Sequence, residues 1–190
     1  IFQKAAMLHE VEILRGLTHE NLIKLNQVFE TDKSIYLVSD LIRGASLDDI
    51  LRNPNSSSEL SENQICYIIY QILKTLSYLA SKKIMHRDVK ASNIFLEEGG
   101  KIKIIDFGLA ADFTTSNYPF KRCGTPGYIA PEIFSFNSNI PSSYYNDKCD
   151  VFSAGCVLFY LYFYWTPALL IYSFRLFKRS MFEGGNVFET

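Results

Sequence analysis

The sequence has no Cys-x-x-Cys pair and no cysteine spacing that suits a metal. Its four cysteines, Cys66, Cys123, Cys149 and Cys156, therefore read as reduced thiols of an intracellular, cytoplasmic protein, not as a disulfide framework or a zinc site. An excess of either charge is also lacking. Lys and Arg number 19, Asp and Glu 20, for a net charge of -1. That balance excludes charge-driven attachment to nucleic acid or to an anionic membrane surface. No secretory signal opens the chain and no internal repeat runs through it. Ile1 is not a start residue, so the true N-terminus is expected elsewhere. What remains is 190 residues with an ordinary apolar fraction, enough for one sizeable core or a domain and a half.

One segment carries chemistry. His86-Arg87-Asp88-Val89-Lys90-Ala91-Ser92-Asn93 is followed, after a short hairpin, by Asp106-Phe107-Gly108. Phosphoryl transfer asks a protein mainly for positioning and charge neutralisation. One carboxylate must receive the proton of an acceptor hydroxyl, and Asp88 suits that role. A carboxylate and an amide must hold magnesium against phosphates, and Asp106 and Asn93 suit that. Magnesium takes few protein oxygens and keeps its waters, so a sparse Asp/Asn pair is enough. Ile94–Leu96 and Lys101–Ile105 read as short strands around the turn Glu97-Glu98-Gly99-Gly100. That hairpin brings Asn93 and Asp106 to the same side.

Two further segments follow in order: Gly124-Thr125-Pro126-Gly127-Tyr128-Ile129-Ala130-Pro131-Glu132 and Asp150-Val151-Phe152-Ser153-Ala154-Gly155. Four motifs at compatible spacings resemble the eukaryotic protein kinase family, as the end of the activation segment and the start of the central C-lobe helix complete the series. The resemblance implies an α+β, two-lobed kinase fold and transfer of the ATP gamma-phosphoryl group to Ser or Thr hydroxyls of a protein, with ATP and Mg2+ as cofactors. Asp88 would take the proton, Lys90 would steady the transferred group, and Asn93 and Asp106 would hold the metal. A Lys at position 90 is similar to the serine/threonine branch, and Thr125 resembles the threonine that braces the catalytic Asp. Arg87 resembles the arginine that meets a phosphorylated activation loop. His86 is expected to pack against Phe107 and not to act as a base. Glu10 is the candidate for the ion pair with the strand lysine that grips the nucleotide phosphates, with Glu12 its competitor. By the same alignment Ser39 is the gatekeeper, a small one that would leave a back pocket open. Asp40 to Ile42 is the hinge beside the nucleotide, and Phe95 the floor under the adenine.

Thr114, Thr115 and Ser116 are candidates for phosphorylation. Lys121 stands four residues before Thr125, where many kinases place an activating phosphothreonine. Activation by another route is therefore expected, in which respect the chain is similar to calcium/calmodulin-dependent kinases. The segment through Phe152 loosely resembles that group.

The flanking pattern fits the same fold. Phe2 to Leu17 reads as an amphipathic helix with Ala6, Met7, Leu8, Val11, Ile13, Leu14 and Leu17 apolar. Leu22–Phe29 and Ser34–Ile42 read as strands joined by a Thr31-Asp32-Lys33 turn, with Gly44 breaking the second. Ser46 caps a short helix over Leu47–Arg52. Asn53–Ser58 is a polar loop. Ser61 and Gln64 form a capping box for a helix that buries Ile65, Ile68, Ile69, Ile72, Leu73, Leu76 and Leu79.

The chain also departs from the family. The glycine-rich loop and the lysine strand are expected to precede Ile1, and the late C-lobe helices are absent after the central helix. Glu132 resembles a glutamate whose arginine partner belongs to that absent part. Because a lone buried carboxylate is costly, Glu132 is expected to be exposed or its segment loose. Residues 1–42 thus read as an N-lobe remnant and 43–161 as the C-lobe with its catalytic and activation segments. Residues 162–180, rich in Tyr, Phe, Leu and Trp, read as an aberrant insertion of translated non-coding sequence. Residues 181–190 resume the kinase-like pattern. A membrane span is the rival reading of this region. Val151–Phe174 carries no charge over more than about twenty residues, and Arg175, Lys178 and Arg179 follow it. Against it, the first half matches a helix that kinases bury, and Pro167 would kink a span. The competing function is a pseudokinase or scaffold that binds partners without transferring phosphate. The strand lysine discriminates the two, and the 190 residues alone are expected to be inactive.

Overall fold

The computed structural model describes residues 2–31, 34–53, 60–115, 122–136 and 144–164. The readings placed on Asp32, Lys33, the stretch 54–58, Ser116, Lys121 and residues 165–190 lie outside them.

Helix α1 spans Phe2–Arg15 and buries Val11 and Leu14, three positions apart on one face, and Ile13 beside Leu14. Leu8 falls outside that face and is exposed, contrary to the expected apolar stripe. Gly16 and Leu17 close the helix with tight bonds to the Ile13 and Leu14 carbonyls, of the 3-10 kind. Strands β1 (Leu25–Glu30) and β2 (Ile35–Ser39) form an antiparallel pair. Thr31 N–H donates to Ser34 O at the turn, at 2.8 Å. The first strand begins later than expected. Leu22 bridges to Ile104 in parallel, and Ile23 N–H donates to Ile104 O at 3.0 Å. The catalytic hairpin therefore claims the backbone at 22–23.

Gly44 does not break β2, which already ends at Ser39. It opens β3 (Gly44–Ser46), which pairs antiparallel with β5 (Ile94–Glu97). A Cβ on Gly44 would lie 2.1 Å from the Leu96 carbonyl oxygen, so close strand approach explains the glycine. β6 (Ile102–Ile104) completes the order β3-β5-β6. The turn between β5 and β6 carries Gly99 and Gly100, both at positive φ.

Helix α2 covers Leu47–Arg52, and Ser46 Oγ accepts the Asp49 N–H at 3.0 Å. Helix α3 covers Glu62–Ser81, with the capping box of Ser61 and Gln64 in place. Its buried arc holds Ile65, Ile68, Ile72, Leu76 and Leu79. Leu73, expected in that stripe, is 43% exposed. The arc extends the other way, through Gln71 and Thr75, because α3 also lies under the β5–β6 hairpin. Strands β4 (Ile84–Met85) and β7 (Ala111–Asp112) pair antiparallel. Helix α4 (Pro131–Phe134) starts with proline, which suits a first helical turn.

Helix α5 spans Lys148–Tyr164 and packs Ala154, Val157 and Leu161 into the core beside α3. Its opposite side leaves Val151, Phe152, Phe159 and Tyr162 exposed. A helix that is apolar all round is the kind a larger core surrounds. Residues 162–164 of the stretch read as inserted continue α5. Among the described residues no helix is long and apolar enough to cross a membrane. The main core gathers α3, α5, β5 and β6 around Ile68, Ile72, Ile94 and Phe107. A second, smaller one joins Met85, Ala111, Ile133, Phe136, Tyr145 and Cys149.

Candidate active site

The loop between β4 and β5 carries Asp88 on a run of buried residues, His86 to Val89, whose backbone N–H groups need partners. Asp150, at the start of α5, serves two of them. Its Oδ2 accepts the His86 N–H at 2.6 Å and its Oδ1 the Arg87 N–H at 2.8 Å. Burial pushes the Asp150 carboxyl up from its ordinary range, partly offset by the neighbouring His86 and those two N–H donors. Arg87 sits at φ +67, a left-handed turn directly before Asp88.

Asp88 lies at the centre of a closed polar ring. Thr125 Oγ1 donates to Asp88 Oδ1 at 2.6 Å. Lys90 Nζ stands 2.7 Å from Asp88 Oδ2 and donates to Thr125 Oγ1 at 2.7 Å. Asn93 Nδ2 donates to Asp88 Oδ2 at 3.1 Å and to the Asp88 carbonyl at 3.0 Å. All four residues expected at the proton-transfer centre therefore meet.

His86 is fully buried and packs edge-on against Phe107 with ring centroids 4.7 Å apart, as the resemblance implied. Its Nδ1 accepts the Asp88 N–H at 3.2 Å and its Nε2 faces Ile105 O at 3.1 Å. Those partners put the proton on Nε2, and the ring has no free nitrogen with which to act as a base.

Asp106 is exposed, at φ +66, and accepts the Gly108 N–H at 3.2 Å. Ile105 N–H donates to the Asn93 carbonyl at 3.0 Å, which seats Asp106 beside Asn93. With its amino group committed to Asp88, Asn93 has its amide oxygen left to offer a ligand. A carboxylate and an amide oxygen are hard donors of the kind magnesium prefers, so the residues present fit that ion. Among the described residues no group of three or more His, Cys, Asp or Glu could hold a metal, so water and nucleotide oxygens would complete the shell.

Glu10 reaches this centre from α1. Its Oε1 accepts the Phe107 N–H at 3.2 Å, whereas Glu12 is exposed. Burial raises the Glu10 carboxyl above its ordinary range, the Phe107 bond opposes that, and the Asp106 charge adds to it. The adjacent His9 faces the Ala110 carbonyl with Nε2 at 3.0 Å. Consecutive α1 residues thus hold both sides of the Asp106-Phe107-Gly108 turn.

The expected nucleotide edge is placed less tightly. Ser39 and Asp40 are exposed at the end of β2, Leu41 is 82% exposed and Ile42 half-buried. Asp40 is held by Asn26 Nδ2 at 2.9 Å. Phe95 is half-buried on β5, opposite Ser46 and Lys103. Glu132 is half-buried in the first turn of α4, so of the two expected outcomes, exposure or a loose segment, it does not show full exposure.

Three supporting side chains escaped the sequence reading: Asp150 entered it only as part of a motif, and His9 and Gln71 were not singled out. Gln71 Oε1 accepts from Asn21 Nδ2 at 3.0 Å and from the Ile102 N–H at 3.1 Å. Its Nε2 donates to Gly100 O at 2.9 Å. A glutamine on the buried arc of a helix was the available signal, because buried amides need partners.

Comparison with known proteins agrees with this geometry. A family model described as "Protein kinase domain" matches residues 2–172, which reaches past residue 161 into the stretch read as inserted. Calcium-dependent protein kinase 3 of Plasmodium yoelii yoelii is 40% identical over 156 residues, covering 80% of this chain and 27% of that protein. Serine/threonine-protein kinase 36 of Pongo abelii is 37% identical over 153 residues, covering 80% of this chain and 11% of that protein. Among solved structures, the yeast RNA Pol II CTD kinase CTDK-1 complex matches with a TM-score of 0.71 at 28% identity, over 84% of this chain and 50% of that one. The chain thus spans about a quarter or less of the length of these curated relatives.

Proposed function

The chain belongs to the protein kinase family, and from that premise we propose that the whole protein is a serine/threonine kinase using ATP and Mg2+. The single observation that carries this is the closed ring of Asp88, Lys90, Asn93 and Thr125. Each of the four is already oriented, so the entropy of arranging them is met by the fold before a substrate arrives.

In that reading the acceptor hydroxyl displaces one of the hydrogen bonds on Asp88. The carboxylate would then take its proton as the oxygen attacks the gamma-phosphorus of ATP, while the bond from that phosphorus to the bridging beta-gamma oxygen breaks and ADP leaves. Lys90 already spans Asp88 and Thr125, and its ammonium neutralises charge on the moving phosphoryl group. Thr125 keeps the Asp88 carboxylate plane fixed during the transfer. Asp106 and Asn93 would hold magnesium, which supplies neutralisation of the phosphate oxygens. Asp40 and Ile42 would border the adenine, with Phe95 beneath it. Glu10 would orient a lysine from the strand that precedes α1 in the family.

Lys90 and Thr125, which resemble the serine/threonine branch of the family, support Ser and Thr as the acceptors. The compartment that fits four free thiols is intracellular. The division into 1–42, 43–161, an inserted 162–180 and 181–190 belongs to the same reading. Transcripts lacking the codons for 162–180 would support it, and their presence in every transcript would overturn it. The pseudokinase alternative gains nothing from a site in which every acceptor-facing side chain is held in place.

The test of activity uses the full-length protein with gamma-labelled ATP, magnesium and peptides bearing Ser, Thr or Tyr as sole acceptors. Label is expected on Ser and Thr peptides, and at least about 10^2-fold less of it with Asp88→Asn. Equal labelling by wild type and that variant would refute the assignment.

A further inference from the structure

One buried contact joins three segments that the mechanism uses separately. Arg87 is 3% exposed, and its guanidinium is always charged. Its Nε donates to the Leu109 carbonyl at 2.7 Å, and its Nη1 donates to the Tyr145 hydroxyl at 2.7 Å. Arg87 directly precedes the proton acceptor Asp88. Leu109 directly follows Asp106-Phe107-Gly108. Tyr145 lies in the segment just before α5, 58 residues along the chain from Arg87.

Tyr145 is itself rigid. It is 2% exposed and packs edge-on against Phe136, with ring centroids 5.3 Å apart. Burial pushes its hydroxyl up to about 12, so it meets Arg87 as a neutral acceptor throughout the physiological range. Charge-assisted hydrogen bonds are the stronger kind, and a buried charged donor that loses its acceptor is costly. The position of the Arg87 fork is therefore set from one side by Tyr145 and read out on the other by Leu109.

We propose that Tyr145 is a positioning residue for phosphoryl transfer: its hydroxyl holds the Arg87 guanidinium against the Leu109 carbonyl and so keeps residues 106–111 seated beside Asp88. This rests on the kinase reading of the site and adds to it a residue outside the motif series. Tyr145 acts through Arg87, at the place where the catalytic loop and the metal-binding turn must stay in register.

The test is Tyr145→Phe in the full-length protein, which deletes one oxygen and keeps the ring on Phe136. Losing one hydrogen bond to a buried cation is expected to lower kcat about tenfold, with KM for ATP and for peptide unchanged within about twofold. Amide hydrogen exchange over 107–111 is expected to speed up about fivefold or more. A purely structural role would lower the melting temperature and leave kcat per folded molecule intact. Arg87→Met combined with Tyr145→Phe is expected to be no slower than Arg87→Met alone, and Arg87→Lys serves where Arg87→Met does not fold. Unchanged kcat and unchanged exchange in Tyr145→Phe would overturn the proposal, as would a full additive loss in the double variant. If the wild type transfers no phosphate, the kinase reading fails, and the exchange measurement still decides whether Tyr145 seats the segment.

Discussion

Asn93 donates both to the side-chain carboxylate of Asp88, at 3.1 Å, and to its backbone carbonyl, at 3.0 Å. One amide thus holds the proton acceptor by two points and fixes its plane. In the proposed reading, the proton acceptor Asp88 and the magnesium ligand Asn93 are thus tied directly to each other, beside the contacts of Thr125 and Lys90 with Asp88.

Asp88→Asn keeps the size of the side chain and removes its basicity. Transfer to a Ser peptide is expected to fall about 10^2- to 10^4-fold, the usual range for a general base. The melting temperature should also fall, because the amide oxygen can still accept from Thr125 but the amide nitrogen then faces the donors Lys90 Nζ and Asn93 Nδ2; kcat is therefore compared per folded molecule. A variant with wild-type kcat would show that Asp88 takes no proton.

Asp150→Ala strips the acceptor from the His86 and Arg87 N–H groups at once. Each buried unpaired N–H costs about 1–3 kcal/mol, so unfolding in urea should show a loss of about 2–5 kcal/mol. Asp150→Asn keeps one acceptor and should fall between. Equal stability of wild type and Asp150→Ala would mean that water replaces the carboxylate.

The pH dependence of Glu10 has a definite sign. Its folded pKa is raised above the ordinary 4.5, chiefly by burial. A raised carboxyl contributes stability that is fully present below 4.5 and lost as pH rises through the folded value. Glu10→Gln does not ionise. Its melting temperature relative to wild type should therefore climb from pH 4 toward neutrality in the 190-residue chain. The climb should vanish in a longer form that places a lysine beside Glu10. A difference that is flat with pH in the short chain would show that Glu10 is not strained by its burial.

Gly44 and Gly155 make opposite predictions for the same substitution. A Cβ on Gly44 would collide with backbone at Leu96, and overpacking of that kind costs about 1–3 kcal/mol. Gly155 lies within α5 and a Cβ there meets nothing within 4 Å. Gly155→Ala should stabilise by about 0.5–1 kcal/mol through helix propensity. Thermal unfolding of the two variants checks both, and the same sign for both would contradict the packing at β3–β5.

The parts of this site that could be read in the sequence are those whose partners are close along the chain. Asp88 and Asn93 are five residues apart, and the β5–β6 hairpin carries the chain straight from Asn93 to Asp106. Capping at Ser46 and Ser61 was legible for the same reason, since a cap answers to residues three positions on. Asp150 was not legible as a support, because it serves backbone groups 63 and 64 residues away and nothing in its neighbours announces them. Gly44 misled for a related reason. Glycine ends strands and also permits two strands to approach, and only the partner at Leu96 decides between these. Leu73 misled because helical period gives a direction of burial but not its width, which the hairpin above α3 determines.

Gln71 makes α3 a keel for both ends of the molecule. Its oxygen serves Asn21 and Ile102 while its nitrogen serves Gly100, so no polar capacity is left over for a different docking angle. Thr18 N–H adds a second rivet by donating to the Tyr78 hydroxyl at 2.8 Å. The connection that follows α1 is thereby bolted to the same beam as the hairpin that carries Asn93 and leads to Asp106. Swinging α1 would have to pivot about that joint, which leaves Glu10 and His9 to trace an arc over the catalytic turn while residues 18–21 stay put.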